Sequence, residues 1–157
     1  MGEVDTLLSK MYKNKPEDQS NEVFVKGAAE FLKIGTAIVE TALEFGFHPC
    51  YHGDYLRGMR VGEGLMRNKD GSVYKGAWLD DARHGRGLLI LPGGDMFSGR
   101  FSRGEPAPSG TIIYSAGGSY DGELLDYRRH GWGSFQEAAG YRYEGDWVDD
   151  ERHGYGR

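Results

Sequence analysis

The sequence contains a few side chains whose type and spacing could support metal or acid–base chemistry. Three histidines, His84, His130 and His153, each begin a His-Gly-x-Gly segment, and they lie 46 and 23 residues apart. Histidines can act as metal ligands or general bases. If each lies in its own unit of an extended sheet, neighbouring copies are ~10 Å apart, or two strand spacings, whereas the ligands of one zinc ion converge within a few ångströms. We therefore exclude a shared metal site and expect each histidine to bond backbone in a hairpin.

Paired carboxylates are the second candidate. Asp80-Asp81 and Asp149-Asp150 could supply an acid and a base, but adjacent aspartates in a polar spacer are typical of turns. Ser109-Gly110 does not form a nucleophile elbow, and Gly62-x-Gly64 lacks the third glycine of a dinucleotide-binding loop. The sequence therefore predicts no catalytic residue, no bound metal and no cofactor, and a protein that is not an enzyme.

These segments belong to a unit that recurs with a strict period of 23 residues. Each copy begins with an aromatic residue, followed two positions later by glycine and two positions after that by a large apolar residue. These aromatic and large apolar positions hold, in chain order, Tyr51 and Tyr55, Tyr74 and Trp78, Phe97 and Phe101, Tyr120 and Leu124, and Tyr143 and Trp147. A fixed period of this length marks a repeat architecture, in which each unit buries its face against its neighbours.

The unit resembles the MORN repeat, whose pattern is Tyr-x-Gly-x-Trp followed by His-Gly-x-Gly and a turn. The resemblance covers residues 51–157, with copies that start at 51, 74, 97, 120 and 143. Two copies depart from the pattern, since the first has Val61-Gly62 and the third Ala107-Pro108 in place of His-Gly. The fifth copy is incomplete at Arg157.

Alternation within each copy predicts a mainly β fold of ten short strands. The first strand of a copy, such as residues 74–79, places its aromatic residue, glycine and tryptophan on one face. The second strand, such as residues 86–91, carries an apolar run, while Asp70-Gly71, Gly93-Gly94 and Gly117-Gly118 supply turns with positive φ. We expect an elongated, twisted, single-layer antiparallel sheet of stacked hairpins, preceded by one or two α-helices.

Two segments precede the repeats. Residues 1–22 read as a short amphipathic helix and a polar linker; Gly2 fits the N-myristoylation pattern, although the acidic Glu3 argues against acylation. Residues 23–47 show helical periodicity and predict a long amphipathic helix that is buried on most of its circumference. The predicted docking face of this helix consists of Phe24, Phe31, Ile38 and Phe45. Because the helix ends close to the first copy, we expect it to cap that copy or to lie along one face of the sheet; pairing with a partner's helix is the alternative.

Composition limits the partner and the compartment. The chain has 19 Lys and Arg against 24 Asp and Glu, a balance that argues against binding to nucleic acid. The single cysteine, Cys50, allows no internal disulfide and fits a reducing compartment. The first residues lack the pattern of a signal peptide, so we expect an intracellular protein.

The aromatic residues have two compatible interpretations. As core, they form a ladder that holds successive hairpins together. As a binding surface, the same ladder forms the floor of a groove that accepts an amphipathic helix. The predicted partner-binding residues are Tyr51, Tyr55, Tyr74, Trp78, Phe97, Phe101, Tyr120, Tyr143 and Trp147.

The resemblance to MORN-repeat proteins implies a scaffold or adaptor whose partner is an amphipathic helix or another subunit of a larger complex. It further implies a cytoskeletal or axonemal assembly, in the cytoplasm, a cilium or a flagellum. Two alternatives remain open: a peripheral protein that binds phospholipid at a membrane–cytoskeleton junction, and a regulatory subunit of an enzyme complex. We also expect the strand edge of the incomplete copy, near Tyr155, to pair with a partner chain or to form a homo-oligomer.

Overall fold

The computed structural model describes residues 33–43 and 49–157. Residues 33–43 form an α-helix, α1. In this part of the chain the repeats form ten strands in one sheet. The strands are β1 Cys50–Leu56, β2 Met59–Arg67, β3 Val73–Leu79, β4 Ala82–Ile90, β5 Met96–Ser102, β6 Glu105–Ile113, β7 Ser119–Leu125, β8 Arg128–Gln136, β9 Arg142–Val148 and β10 Glu151–Gly156.

The sheet is a continuous antiparallel meander, in which each strand pairs with the strand that follows it in the chain. Its register places glycine opposite glycine at every step across the sheet, as in the row Gly53, Gly64, Gly76 and Gly87. The predicted fold is confirmed: the protein is mainly β, and its stacked hairpins form one layer.

Two kinds of turn alternate along the meander. Within a copy, two residues with positive φ join the strands, such as Asp80 at 49° and Asp81 at 69°. Two consecutive positive φ angles match the right-handed twist of a hairpin. Between copies the turns are longer and use a glycine with positive φ, such as Gly71 at 90°. In the next of these turns Gly94 takes this conformation and Gly93 does not.

The second strand of each copy begins earlier than predicted. In the second copy it spans Ala82–Ile90, whereas the expected strand was residues 86–91. The prediction was wrong because the turn takes only two residues, which leaves Ala82, Arg83 and the His-Gly-x-Gly segment inside the strand. A bulge between Gly76 and Trp78 accommodates the additional residues.

The two faces of the sheet bury different side chains, because neighbouring residues of a strand point to opposite sides. One side, here called the aromatic face, carries a cluster of ten buried residues: Tyr74, Trp78, Leu89, Phe97, Phe101, Ile112, Tyr120, Leu124, Tyr143 and Trp147. The other side, here called the helix face, is partly covered by α1. Its buried cluster consists of Ile38, Ala42, Val73, Leu88, Ile90, Met96 and Ile113.

The helix α1 lies along one face of the sheet, which is one of the two positions expected for it. Ile38 and Ala42, one turn apart, are buried against the sheet, and a side chain at Gly35 would overlap the sulfur of Met96. Of the predicted docking residues, Ile38 contacts the sheet, while Phe24, Phe31 and Phe45 lie outside the described residues, as do residues 1–22. Within the described ranges, no helix has the length and hydropathy needed to span a bilayer.

We expect Gly87→Ala to destabilise the repeat domain by about 1–3 kcal/mol. Gly87 lies beneath the ring of Tyr74, and a Cβ atom there would overlap that ring. Urea unfolding followed by circular dichroism measures the change. The control is Gly93→Ala, because a Cβ at Gly93 meets no atom within 4 Å, and its unfolding free energy should stay within about 0.5 kcal/mol of the parent protein. Equal losses in both variants would contradict this packing role.

We expect Ile38→Asp to detach α1 from the sheet, because the substitution buries a carboxylate without a partner. Amide hydrogen exchange across residues 36–42 should accelerate more than about tenfold, while exchange in the strands of the fourth and fifth copies should change little. Glu40→Gln, at an exposed position of the same helix, is the control. Unchanged protection in the Ile38 variant would show that α1 does not depend on this contact.

Candidate functional site

The rings of the aromatic face contact one another edge to face across the sheet. Tyr74 contacts Trp78 of its own copy at 5.3 Å between ring centroids and Phe101 of the next copy at 5.1 Å. Each such pair contributes about 0.5–1.5 kcal/mol beyond its buried area. In the fourth copy Leu124 stands at the second aromatic position, and Tyr127 instead contacts Phe97 of the third copy at 5.3 Å. The ladder therefore links successive copies, as its interpretation as core predicts.

The first ring of each copy lies over glycine, and in the four copies where this ring is tyrosine its hydroxyl group donates to a backbone carbonyl. Tyr74 donates to the carbonyl of Ala77 at 2.9 Å, and Tyr120 donates to the carbonyl of Glu123 at 2.7 Å. Burial raises the pKa of both tyrosine hydroxyls above the usual value. Both groups therefore remain protonated, and remain donors, across the physiological pH range.

The structure gathers the nine predicted partner-binding residues on the aromatic face but leaves little of them accessible. Tyr74, Phe97 and Tyr120 have no exposed surface, whereas Tyr55 at the first edge is 60% exposed. The rings themselves fill the floor of the expected groove, and the described part of the helix lies on the opposite face. Binding of a partner through these rings stays a prediction.

Arginines cover the rings and join one copy to the next. The guanidinium of Arg60 lies 4.4 Å from the ring centroid of Trp78, and its Nε is 2.6 Å from a carboxylate oxygen of Asp81. Arg129 makes the same contacts with the equivalent tryptophan and aspartate of the fifth copy, at 4.3 Å and 3.2 Å. In the second copy Arg83 donates to the carbonyl of Gly104 at 2.9 Å. These links between copies were not anticipated from the sequence.

The acidic pairs are turn residues, as predicted. Asp80 and Asp81 both adopt positive φ, and the hydrogen bond from Arg60 holds the pKa of the Asp81 carboxyl group below its usual value. This carboxylate therefore stays charged at neutral pH and serves the contact between copies rather than proton transfer.

The histidines do not play the structural role expected for them. His84 and His153 are exposed and His130 is partly buried. The buried Nδ1 atom of His130 has no hydrogen-bond partner in the described part of the chain; its carbonyl oxygen accepts a bond from Tyr120 instead. The prediction that the histidine bonds backbone is therefore wrong for the Nδ1 atom of His130. Among residues 33–43 and 49–157, no group of three or more His, Cys, Asp and Glu side chains could hold a metal ion.

A line of exposed aliphatic side chains forms a second surface, which the sequence analysis missed. Leu56, Leu79, Leu125 and Val148 occupy the same position of four copies, directly before the two-residue turn, and are 61%, 48%, 52% and 40% exposed. Equivalent positions of successive copies are ~10 Å apart, so these side chains form a row on the helix face, here called the apolar stripe. Ser102 interrupts it in the third copy. The signal was present in the sequence, since an aliphatic residue recurs at this position.

A comparison with protein families identifies the repeats. The family model described as MORN repeat matches residues 51–73, 74–96 and 143–157, which are the first, second and fifth copies in the register derived above. The third and fourth copies continue the same sheet between them. A comparison with curated proteins found no match. The MORN repeat is a non-enzymatic repeat domain, known in protein–protein and membrane–lipid interaction. The matches show that the chain carries MORN repeats at three of its five copies, within one uninterrupted sheet of hairpins.

Proposed function

We propose that the protein is a non-enzymatic scaffold or adaptor that binds a protein partner through its repeat sheet. The observation that carries this proposal is the apolar stripe. A large aliphatic side chain that stays exposed in one copy is unremarkable, but the same exposure at the same position of four of the five copies forms a regular row on one face. Exposed apolar surfaces of this kind mark sites of interaction.

The dimensions of the apolar stripe fit an amphipathic helix. The positions of the stripe recur every ~10 Å, with a gap at Ser102. A helix with apolar residues seven positions apart repeats its contacts every ~10.5 Å at 1.5 Å per residue. From β1 to β9 the stripe spans eight strand spacings, or ~38 Å, the length of about 25 helical residues. A partner helix of this kind would contact four copies at once.

The charge beside the apolar stripe favours a protein over an anionic membrane. Three of the four turns that follow the stripe residues begin with aspartate, at Asp80, Asp126 and Asp149, whereas the turn after Leu56 begins with Arg57. Acidic side chains at these turns oppose the negative surface potential of a membrane. They suit a partner helix that carries lysine or arginine beside its apolar residues.

We extend the proposal to a cytoskeletal or axonemal assembly, on the strength of the family resemblance and of a surface whose contacts repeat along its length. A filament also repeats its binding sites along its length, so several copies can contribute to one attachment. The full chain carrying a fluorescent tag should follow tubulin or actin structures in cells. A uniform signal that is lost after detergent extraction would contradict this location.

We expect Leu79→Glu combined with Leu125→Glu to abolish binding at the apolar stripe, because the double variant places carboxylates in its centre. A photo-crosslinking amino acid at Val148 of the full chain should form a crosslink to a protein in cells. The crosslinked fraction should fall at least about tenfold in the double variant, as for central interface residues. Lys69→Glu is the matched control, because it changes the net charge by the same amount at an exposed turn on the other end of the strands.

The same proteins distinguish the membrane alternative. If the parent chain floats with phosphatidylcholine vesicles that contain phosphatidylinositol bisphosphate, and no protein crosslink forms, the scaffold proposal fails. Retained crosslinking in the double variant would show that the partner lies elsewhere on the sheet. Circular dichroism should show that both variants keep the parental fold, because the substituted side chains are exposed.

A further inference from the structure

The third copy departs from the repeat pattern, and this departure creates a cleft on the helix face. At the position before the last glycine of His-Gly-x-Gly, the other four copies carry Glu, Arg, Trp or Tyr, whereas the third copy carries Ser109. Ala107 replaces histidine two residues earlier. With these small side chains at its centre, the sheet leaves a depression of about 400 Å³. Its floor is the small residues and the backbone of β5 to β7.

Two arginines form one wall of the cleft. Arg86 of β4 and Arg100 of β5 are direct cross-strand partners, and both side chains are exposed. The guanidinium of either arginine can bind a carboxylate in a planar, bidentate geometry.

A tryptophan forms the opposite wall. Trp132 is 54% exposed, whereas Trp78 and Trp147 are buried in the aromatic ladder. The backbone amide of Trp132 donates to a carboxylate oxygen of Glu123 at 3.0 Å, which ties this part of β8 to β7. Exposed tryptophan and arginine side chains around a depression are the residue types that dominate binding energy at protein interfaces.

We propose that this cleft binds an extended segment of a partner protein that places one carboxylate on Arg86 and Arg100 and an apolar side chain on Trp132. The inference rests on the proposed scaffold function and specifies a second contact of the partner. The distance from β5 to β8 is three strand spacings, or ~14 Å. An extended chain covers this distance in about four residues at ~3.3 Å each, so the carboxylate and the apolar side chain belong to residues i and i+4.

The remaining charges of the cleft select a segment with few carboxylates over a dense polyanion. Asp121 lies in the lining, where one carboxylate oxygen accepts a hydrogen bond from Thr111 at 3.2 Å, and Glu123 lies next to Trp132. Two cationic and two anionic side chains therefore surround the depression. A phosphoinositide headgroup or a nucleic acid would meet repulsion from both acids, whereas a single carboxylate at the arginine wall avoids them.

The test uses the full ¹⁵N-labelled chain and the peptide acetyl-Glu-Ser-Gly-Ser-Phe-amide, with the same peptide carrying Gln in place of Glu as control. Nuclear magnetic resonance should show saturable shifts at the indole N–H of Trp132 and at the amides of residues 98–100 and 109–110.

Binding should weaken at least about tenfold for the Gln peptide and for Arg86→Gln combined with Arg100→Gln, since a charge-assisted contact is lost. Trp132→Ala should weaken the Glu peptide as well. Arg128→Gln, an exposed cation outside the cleft, should leave binding unchanged.

Three results would overturn the proposal: equal affinity for the Glu and Gln peptides, no shift up to the solubility limit of the Glu peptide, or arginine-dependent binding to vesicles with phosphatidylinositol bisphosphate but not to the peptide. Unshifted resonances elsewhere in each variant confirm that it is folded. The two proposals fail separately. Crosslinking at the apolar stripe without peptide binding refutes the cleft alone, and peptide binding without crosslinking refutes the apolar stripe alone.

Discussion

An aromatic ring lying over a pair of glycines is the contact on which the rest of the sheet depends. In the second copy the ring of Tyr74 covers Gly87, and a side chain there would overlap it. The same contact recurs in the other copies. In every copy the same number of residues separates the aromatic residue from two glycines, and these glycines pair across adjacent strands. The absence of a Cβ is therefore what allows a single-layer sheet to bury tyrosine and phenylalanine without a second layer above them.

This contact also determines which face of the sheet is available to other molecules. The aromatic face is filled by its own rings and by arginines such as Arg60, which bind across to the next copy. In the described part of the chain, α1 covers the helix face where Val73, Leu88, Ile90, Met96 and Ile113 supply apolar side chains. The apolar stripe and the side chains that line the cleft of the third copy lie outside this cluster. The aromatic core and the surfaces proposed to bind a partner thus lie on opposite sides of one layer.

The sequence predicted the fold well because the period of 23 residues fixes the hairpins, their number and their register at once. It predicted the chemistry of single positions less well. Spacing alone does not show that a ring as large as Tyr74 is fully covered by its neighbours, so binding through the aromatic residues stays a prediction. Leu79 was placed correctly at the end of a strand, but the exposure of this row of side chains was not predicted, since exposure depends on where the sheet ends. The second strand was placed too late because the bulge after Gly76 has no distinct residue signal.

The links made by arginine are not the same at every junction. Arg60, Arg83 and Arg129 each reach the following copy, but the equivalent position of the third copy is Pro106, which has no side-chain donor. In an array stabilised by contacts between nearest neighbours, the junction between the third and fourth copies therefore has one fewer clamp. When the sheet is twisted, the deformation is therefore concentrated at this junction, between two more rigid parts of the sheet.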